Sequence, residues 1–487
     1  MLVVHGNPAS ANTGALPGAL PGALPALETT PVAALETTPV AALETAPVAE
    51  DVDGGCAPRV KRVKYNNDTD DTDDTKNFTS DELSLLTDDT NANRLRLAKQ
   101  APLDEPYGVA NIFACLQLVH ILSTGAAKDE LSKLLGHEIL SNKTTLVDRK
   151  RKLFALMSGL AQRILPKSDA GKAAMEAWKE LGTNTMQLAF NVEGQVNELV
   201  KKHLDISNMF APQSIVDDPS FIPLVVLAAM EVIKVEHKDA LPRYEGGMFT
   251  MRNGVNSPVR YAVASNRYMQ TKAIPGVGNV GGCCIARVES KRPDDAPPEE
   301  HRSLLFVLPD NKDDSLDSCL DAIAAEMDAK HGLCYNNWSG GNYNFKFPTF
   351  DATHSAQPIS EKLELLGIKS MFKPEAGPFE QTLSQEAIQE ETGDKSATPA
   401  YISKVIHFAS FKADRKGAEA KAVTIAVCGY RSLGATAPPL EFNCDRPFIV
   451  LLVNGSTGVD SVEFVLKVEG KCLDDPARMP NDIPDDA

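Results

Sequence analysis

The chain has 487 residues, 43% of them hydrophobic, and a formal net charge of −17 at pH 7. That length supports an ample core, while the acidic balance argues against nucleic-acid binding through the general surface. No window reaches the roughly 18 apolar residues that span a bilayer, and the nine cysteines form an odd set without CxxC spacing, which suits a reducing compartment better than a disulfide framework. Met1 to Thr13 lacks a basic and then apolar leader, so an intracellular protein, cytoplasmic or nuclear, is expected.

The first 57 residues are low-complexity. Gly-Ala-Leu-Pro recurs from Gly14 to Pro25, and Ala-Leu-Glu-Thr-Thr-Pro-Val-Ala recurs from Ala26 to Ala49. Pro31, Pro39 and Pro47 interrupt any helix, and the repeats hold no aromatic residue, so residues 1–57 are expected to form a disordered tail. Residues 58–76 pair a basic cluster with an acidic linker. Lys61, Arg62 and Lys64 stand in Pro-Arg-Val-Lys-Arg-Val-Lys, the kind of short segment that an import receptor grips; a solvated linker is the alternative.

Ordered structure is expected over 77–475, before an acidic tail at 476–487. Asn91 to Gln100 reads as helical, and Ile112 to Leu122 as an apolar helix. Lys128 to Leu135 reads as an amphipathic helix stopped by Gly136. Asp148 to Lys152 is a cationic run, read as a polar helix face or, more weakly, a polyanion site. Val192 to Leu204 places Val196, Leu199, Val200 and His203 along one helix side, and Leu224 to Met230, apolar on both faces, reads as a central strand. Gly276 to Gly281 fits GxGxxG, but the β-like Cys283 to Val288 follows where a nucleotide site needs a helix, so no cofactor is implied. The histidines lack metal spacing, and no nucleophile elbow or Ser/His/Asp set can be assembled, so no catalytic residue is assigned. Ser303 to Asp310, Phe345 to Phe350 and Ile402 to His407 read as strands. Phe448 to Val453 and Val462 to Val468 close the fold on either side of an Asn454-Gly455 turn.

From Gly417 to Leu433 the chain has two unlike faces at a period of two. Ala418, Ala420, Ala422, Thr424, Ala426 and Cys428 are all small, whereas Glu419, Lys421, Val423, Ile425 and Val427 start charged and end β-branched. The segment can enter a sheet, and it ends at Arg431-Ser432, a bond that trypsin-like proteases cut.

A strand with protease bait at its end resembles the reactive-centre loop of serpins. Gly417, Ala418, Glu419, Ala420, Ala422 and Thr424 match the family's hinge and inserting face, and fourteen residues run from Ala418 to Arg431, as the family's spacing requires. Gly125-Ala126, Leu308-Pro309, Phe345-Lys346-Phe347, Leu366-Gly367 and Asp445-Arg446-Pro447-Phe448 match further family segments. The resemblance implies an α+β serpin fold with three β-sheets, about eight or nine helices and an exposed loop. It also implies a monomeric, non-enzymatic suicide inhibitor of an Arg-specific serine protease, or equally an Arg-specific cysteine protease, cleaved at Arg431-Ser432. Arg415 stands where the family has an acidic residue, and the strand after Leu224 lacks the family's tryptophan. A non-inhibitory serpin, acting as a chaperone or nuclear binding protein, is therefore the alternative.

Overall fold

A computed structural model describes residues 2–6, 92–136, 152–216, 222–231, 233, 235–276, 281–290, 302–330, 338–418, 439–454 and 461–474. These residues belong to one compact unit. Lys61, Arg62, Lys64, Glu419, Ala420, Ala422, Thr424, Arg431 and Ser432 lie outside the described residues.

Strand β1 (Leu2–Gly6) and helix α1 (92–98) come first. They are followed by β2 (Pro106–Tyr107), α2 (Val109–Leu122), α3 (Gly125–Leu135), β3 (Lys152–Met157) and α4 (Gly159–Ile164). Next come α5 (Asp169–Glu180), β4 (Asn184–Gln187) and α6 (Val192–Leu204). Six strands then run in succession: β5 (Ile222–Met230), β6 (Val235–Glu236), β7 (Arg243–Thr250), β8 (Asn256–Ile274), β9 (Cys283–Glu289) and β10 (Arg302–Pro309). The remaining elements are α7 (Leu316–Lys330), β11 (Ser339–Pro348), β12 (Phe350–Pro358), α8 (Ser360–Leu365), α9 (Gln385–Thr392), β13 (Tyr401–Ala413), β14 (Gly417–Ala418), β15 (Leu440–Asn443), β16 (Phe448–Asn454) and β17 (Ser461–Val468).

Local chemistry explains several helix ends. Ser158, Ser168, Asn191 and Ser384 each place a side-chain oxygen on a first-turn N–H, capping α4, α5, α6 and α9. Gly136 (φ +79°) and Gly393 (φ +71°) end α3 and α9 in backbone that favours glycine. Helix α2 is apolar on nearly every side and is buried beneath the sheets, as its lack of polar periodicity requires.

The large sheet runs β4-β3-β5-β1-β13-β14-β6, with β12 on the far edge of β13. The two smaller sheets are joined through the long β8: its first half pairs with β7, and its later residues pair with β11 and then β9. Beyond β9 the order is β10-β16-β17-β2. Among the described residues the fold is therefore α+β with three sheets, as the resemblance implied.

Two local expectations are corrected. Residues 2–6, assigned by composition to the disordered tail, form β1 in the middle of the large sheet. Leu2-Val3-Val4 precedes the repeats and is strand-prone, unlike them. Lys152, read as the end of a polar helix face, instead opens β3, whose other residues are buried; the rest of that run lies outside the described residues.

Candidate functional site: the hinge and its slot

At the end of β13 the chain turns back on itself. The Asp414 carboxylate accepts from the Lys416 and Gly417 N–H groups at 2.8 and 3.2 Å, and the Asp414 N–H donates to the Gly417 carbonyl at 2.8 Å. This tight turn places Ala418 opposite Ala413, so β14 starts antiparallel to β13. On its other side β14 pairs with β6, Gly417 facing Glu236 and Ala418 facing Val235.

Gly417 is required here. Its φ is +155°, and a Cβ would meet the Val235 carbonyl oxygen at 2.1 Å, a backbone atom that cannot rotate away. Ala418 is buried at 3% exposure, which rewards a small residue at the end of β14.

The turn is clamped from the segment after β6. The His237 N–H donates to the Lys416 carbonyl at 2.9 Å, and the Leu241 N–H to the Arg415 carbonyl at 2.8 Å. His237 Nε2 lies 3.1 Å from the Asp414 carbonyl oxygen, which can only accept, so the proton sits on Nε2. Burial, aided by the nearby Arg267 charge, lowers the His237 pKa to about 4 and keeps the ring neutral. Arg415 takes a place of its own: its guanidinium lies over the Tyr244 ring at 5.3 Å. The family's acidic residue is replaced here by a cation–aromatic contact that sequence reasoning missed, because its partner stands far away in the chain.

Below the hinge, β5 and β13 run parallel to each other with a slot between them. A cavity of about 420 Å³ occupies its upper part, lined on one side by Ala228, Met230 and Glu231 and on the other by His407, Ala409 and Phe411. Helices α2 and α6 close its two faces through Cys115 and Val196. The Gly108 N–H donates to His407 Nε2 at 3.2 Å, and the His407 ring packs edge-on to Tyr107 at 4.8 Å, tying α2 to β13 beneath the slot. The lower part of the slot is filled by β1, which pairs antiparallel with both walls: Leu2 faces Leu227 and Val405, and His5 faces Pro223 and Tyr401.

Of the residues singled out in the sequence, Gly417 and Ala418 are thus brought to the mouth of this slot. The strand after GxGxxG is β9, so that motif lacks the helix a nucleotide site needs. Among the described residues six cysteines are free thiols, no cluster of His, Cys, Asp and Glu has a metal-binding arrangement, and no helix is long and apolar enough to cross a membrane.

The long sheet thus has a gap beside a turn that doubles back, and comparison with known proteins shows what this fold is similar to. Residues 297–464 match the family model described as Serpin (serine protease inhibitor). Over 115 residues the chain is 30% identical to Serpin-ZX of Hordeum vulgare; the match spans 24% of this chain and only 26% of that protein. The fold is similar to native protease nexin-1 with heparin, with a TM-score of 0.59 and 15% identity over 80% of this chain and 100% of that one. It is similar to Arabidopsis AtSerpin1 in its native stressed conformation, with a TM-score of 0.58 and 17% identity over 79% of this chain and 98% of that one. Thyroxine-binding globulin in complex with thyroxine is also similar, with a TM-score of 0.56 and 15% identity over 80% and 99% of the two chains. The chain has the fold of the serpins, and residues 297–464 match that family's model.

Proposed function

We propose that this serpin inhibits Arg-specific proteases, offering Arg431-Ser432 as bait and inserting the loop that follows Ala418 between β5 and β13. The observation that carries this reading is the Ala413–Ala418 pairing, which starts the chain back along β13 at the mouth of an open slot. Continuing that register would place Ala420, Ala422 and Thr424 opposite Phe411, Ala409 and His407, where small side chains enter a close-packed sheet at least cost. Serine and cysteine proteases of this specificity read the same guanidinium, through a buried carboxylate.

Mixing the protein with trypsin should yield an SDS-stable band of summed mass, and Arg431→Ala should abolish it while leaving the melting temperature of the uncleaved protein unchanged. Cleavage at Arg431-Ser432 with no complex and no gain in thermal stability would remove the inhibitor reading. Running an Arg-specific cysteine protease beside trypsin separates the two target classes.

A second reading, a serpin that binds without inhibiting, is favoured by β1, because a strand already stands in the lower slot.

A further inference from the structure

We infer that Leu2–Gly6 is a built-in plug strand: it holds the lower half of the insertion slot, and the reactive loop cannot insert fully until this strand leaves. The inference rests on the inhibitor reading for its consequence, although the strand's position does not.

Three observations place the plug and the hinge in one channel. First, β12 occupies the other edge of β13, so β14 at the top and β1 at the bottom share the same edge. Second, β14 lies between β13 and β6, while β1 lies between β13 and β5. β6 is the next strand after β5 in the chain, and the two stand across from β13 at the two ends. Third, the cavity lies between the two occupied ends, lined by β13 residues from Val405 to Lys412 and β5 residues from Ala228 to Met230.

The walls around β1 need a strand. Val225, Val226, Leu227 and Ile402 are fully buried, and Val405 nearly so. Buried peptide groups on these facing edges call for backbone partners. Residues 2–6 pair with both edges at once, and Leu-Val-Val suits a strand enclosed on both sides.

Register gives the capacity of the open part. With Ala418 opposite Ala413, a chain continuing antiparallel reaches Val405 at Ala426, and Val405 already faces Leu2. Residues 419–425 can therefore enter the open slot with the plug in place. Tyr430 would need the position opposite Tyr401, which His5 holds. Insertion as far as Arg431 and protection of residues 2–6 exclude each other.

Hydrogen–deuterium exchange on the full chain, before and after loop cleavage by trypsin, tests this. In the uncleaved protein the amides of residues 2–6 and of Ile402 to Val405 should exchange at least 100-fold more slowly than in free peptide. Val4→Pro, which removes a ladder N–H, or deletion of residues 2–6, should release Ile402 to Val405. Cleavage followed by insertion, read as a rise in melting temperature, should free residues 2–6 while Ile402 to Val405 stay protected. If residues 2–6 of the uncleaved protein exchange as fast as free peptide, or stay protected after the loop has inserted, the plug is refuted. Insertion in the variants but not in the wild type supports it. Failure to insert in wild type and variants alike removes the inhibitor reading alone, and the plug then stands or falls on the uncleaved protein.

Discussion

Gly417→Ala is the smallest perturbation that tests the hinge geometry. The added methyl would sit 2.1 Å from the Val235 carbonyl oxygen and 2.8 Å from the Glu236 Cα, and both are backbone atoms. The φ of +155° adds conformational strain for any L side chain, about 1–3 kcal/mol on its own. The hinge relieves both by moving away from β6, which sacrifices the pairing of Gly417 with Glu236 and Ala418 with Val235. Each backbone bond lost there costs about 0.5–1.5 kcal/mol net. Local release therefore limits the penalty to about 2–4 kcal/mol, since the rest of the sheet need not unfold. The matching readout is amide exchange at His237 and Leu241, whose N–H groups are held by the Lys416 and Arg415 carbonyls. Their exchange should accelerate by roughly 30-fold to 1,000-fold, at about tenfold per 1.4 kcal/mol, while amides in β10 and β16 stay unchanged. Unaltered exchange at His237 and Leu241 in a folded Gly417→Ala protein would refute the clamp.

Other outcomes follow from the same structure. Arg302 and Glu463 form a buried two-pronged ion pair at 2.9 and 3.1 Å. Glu463→Ala should cost about 3–5 kcal/mol by denaturant titration, and a paired apolar replacement of both residues much less. His237 has a folded pKa of about 4, below its unfolded value. Its contribution is complete above about pH 6.5 and is lost as pH falls toward 4, because the unfolded chain takes up the proton first. That loss amounts to about 3 kcal/mol at most, and the slope of stability against pH in this window should flatten in His237→Gln. His120, likewise lowered to about 4 by burial and then by Lys128, adds a slope of the same sign that remains in that variant. We also propose that Lys61, Arg62 and Lys64 direct nuclear import: a reporter carrying residues 50–70 should concentrate in nuclei, and a Lys61→Ala/Arg62→Ala pair should spread evenly.

Much of the fold was legible in the sequence because its signals are local. The apolar run at Leu224 to Met230 marks a strand covered on both faces, and β5 is that strand. Gly136 and the small residues at 417 and 418 announce backbone that larger side chains resist. Those signals were enough to indicate a sheet and a tight turn at Gly417, while Arg431, proposed as the bait residue, lies outside the described residues. Nothing local reports which strands become neighbours. Leu2-Val3-Val4 has the composition of many short strands, and its place between β5 and β13 depends on two edges more than 200 residues away in the chain. Arg415 likewise looks like a mismatch until Tyr244 is brought beneath it. Periodicity and backbone sterics, which act over a few residues, are written in the sequence; the competition for one slot is settled only when distant edges meet and their buried peptide groups must find partners.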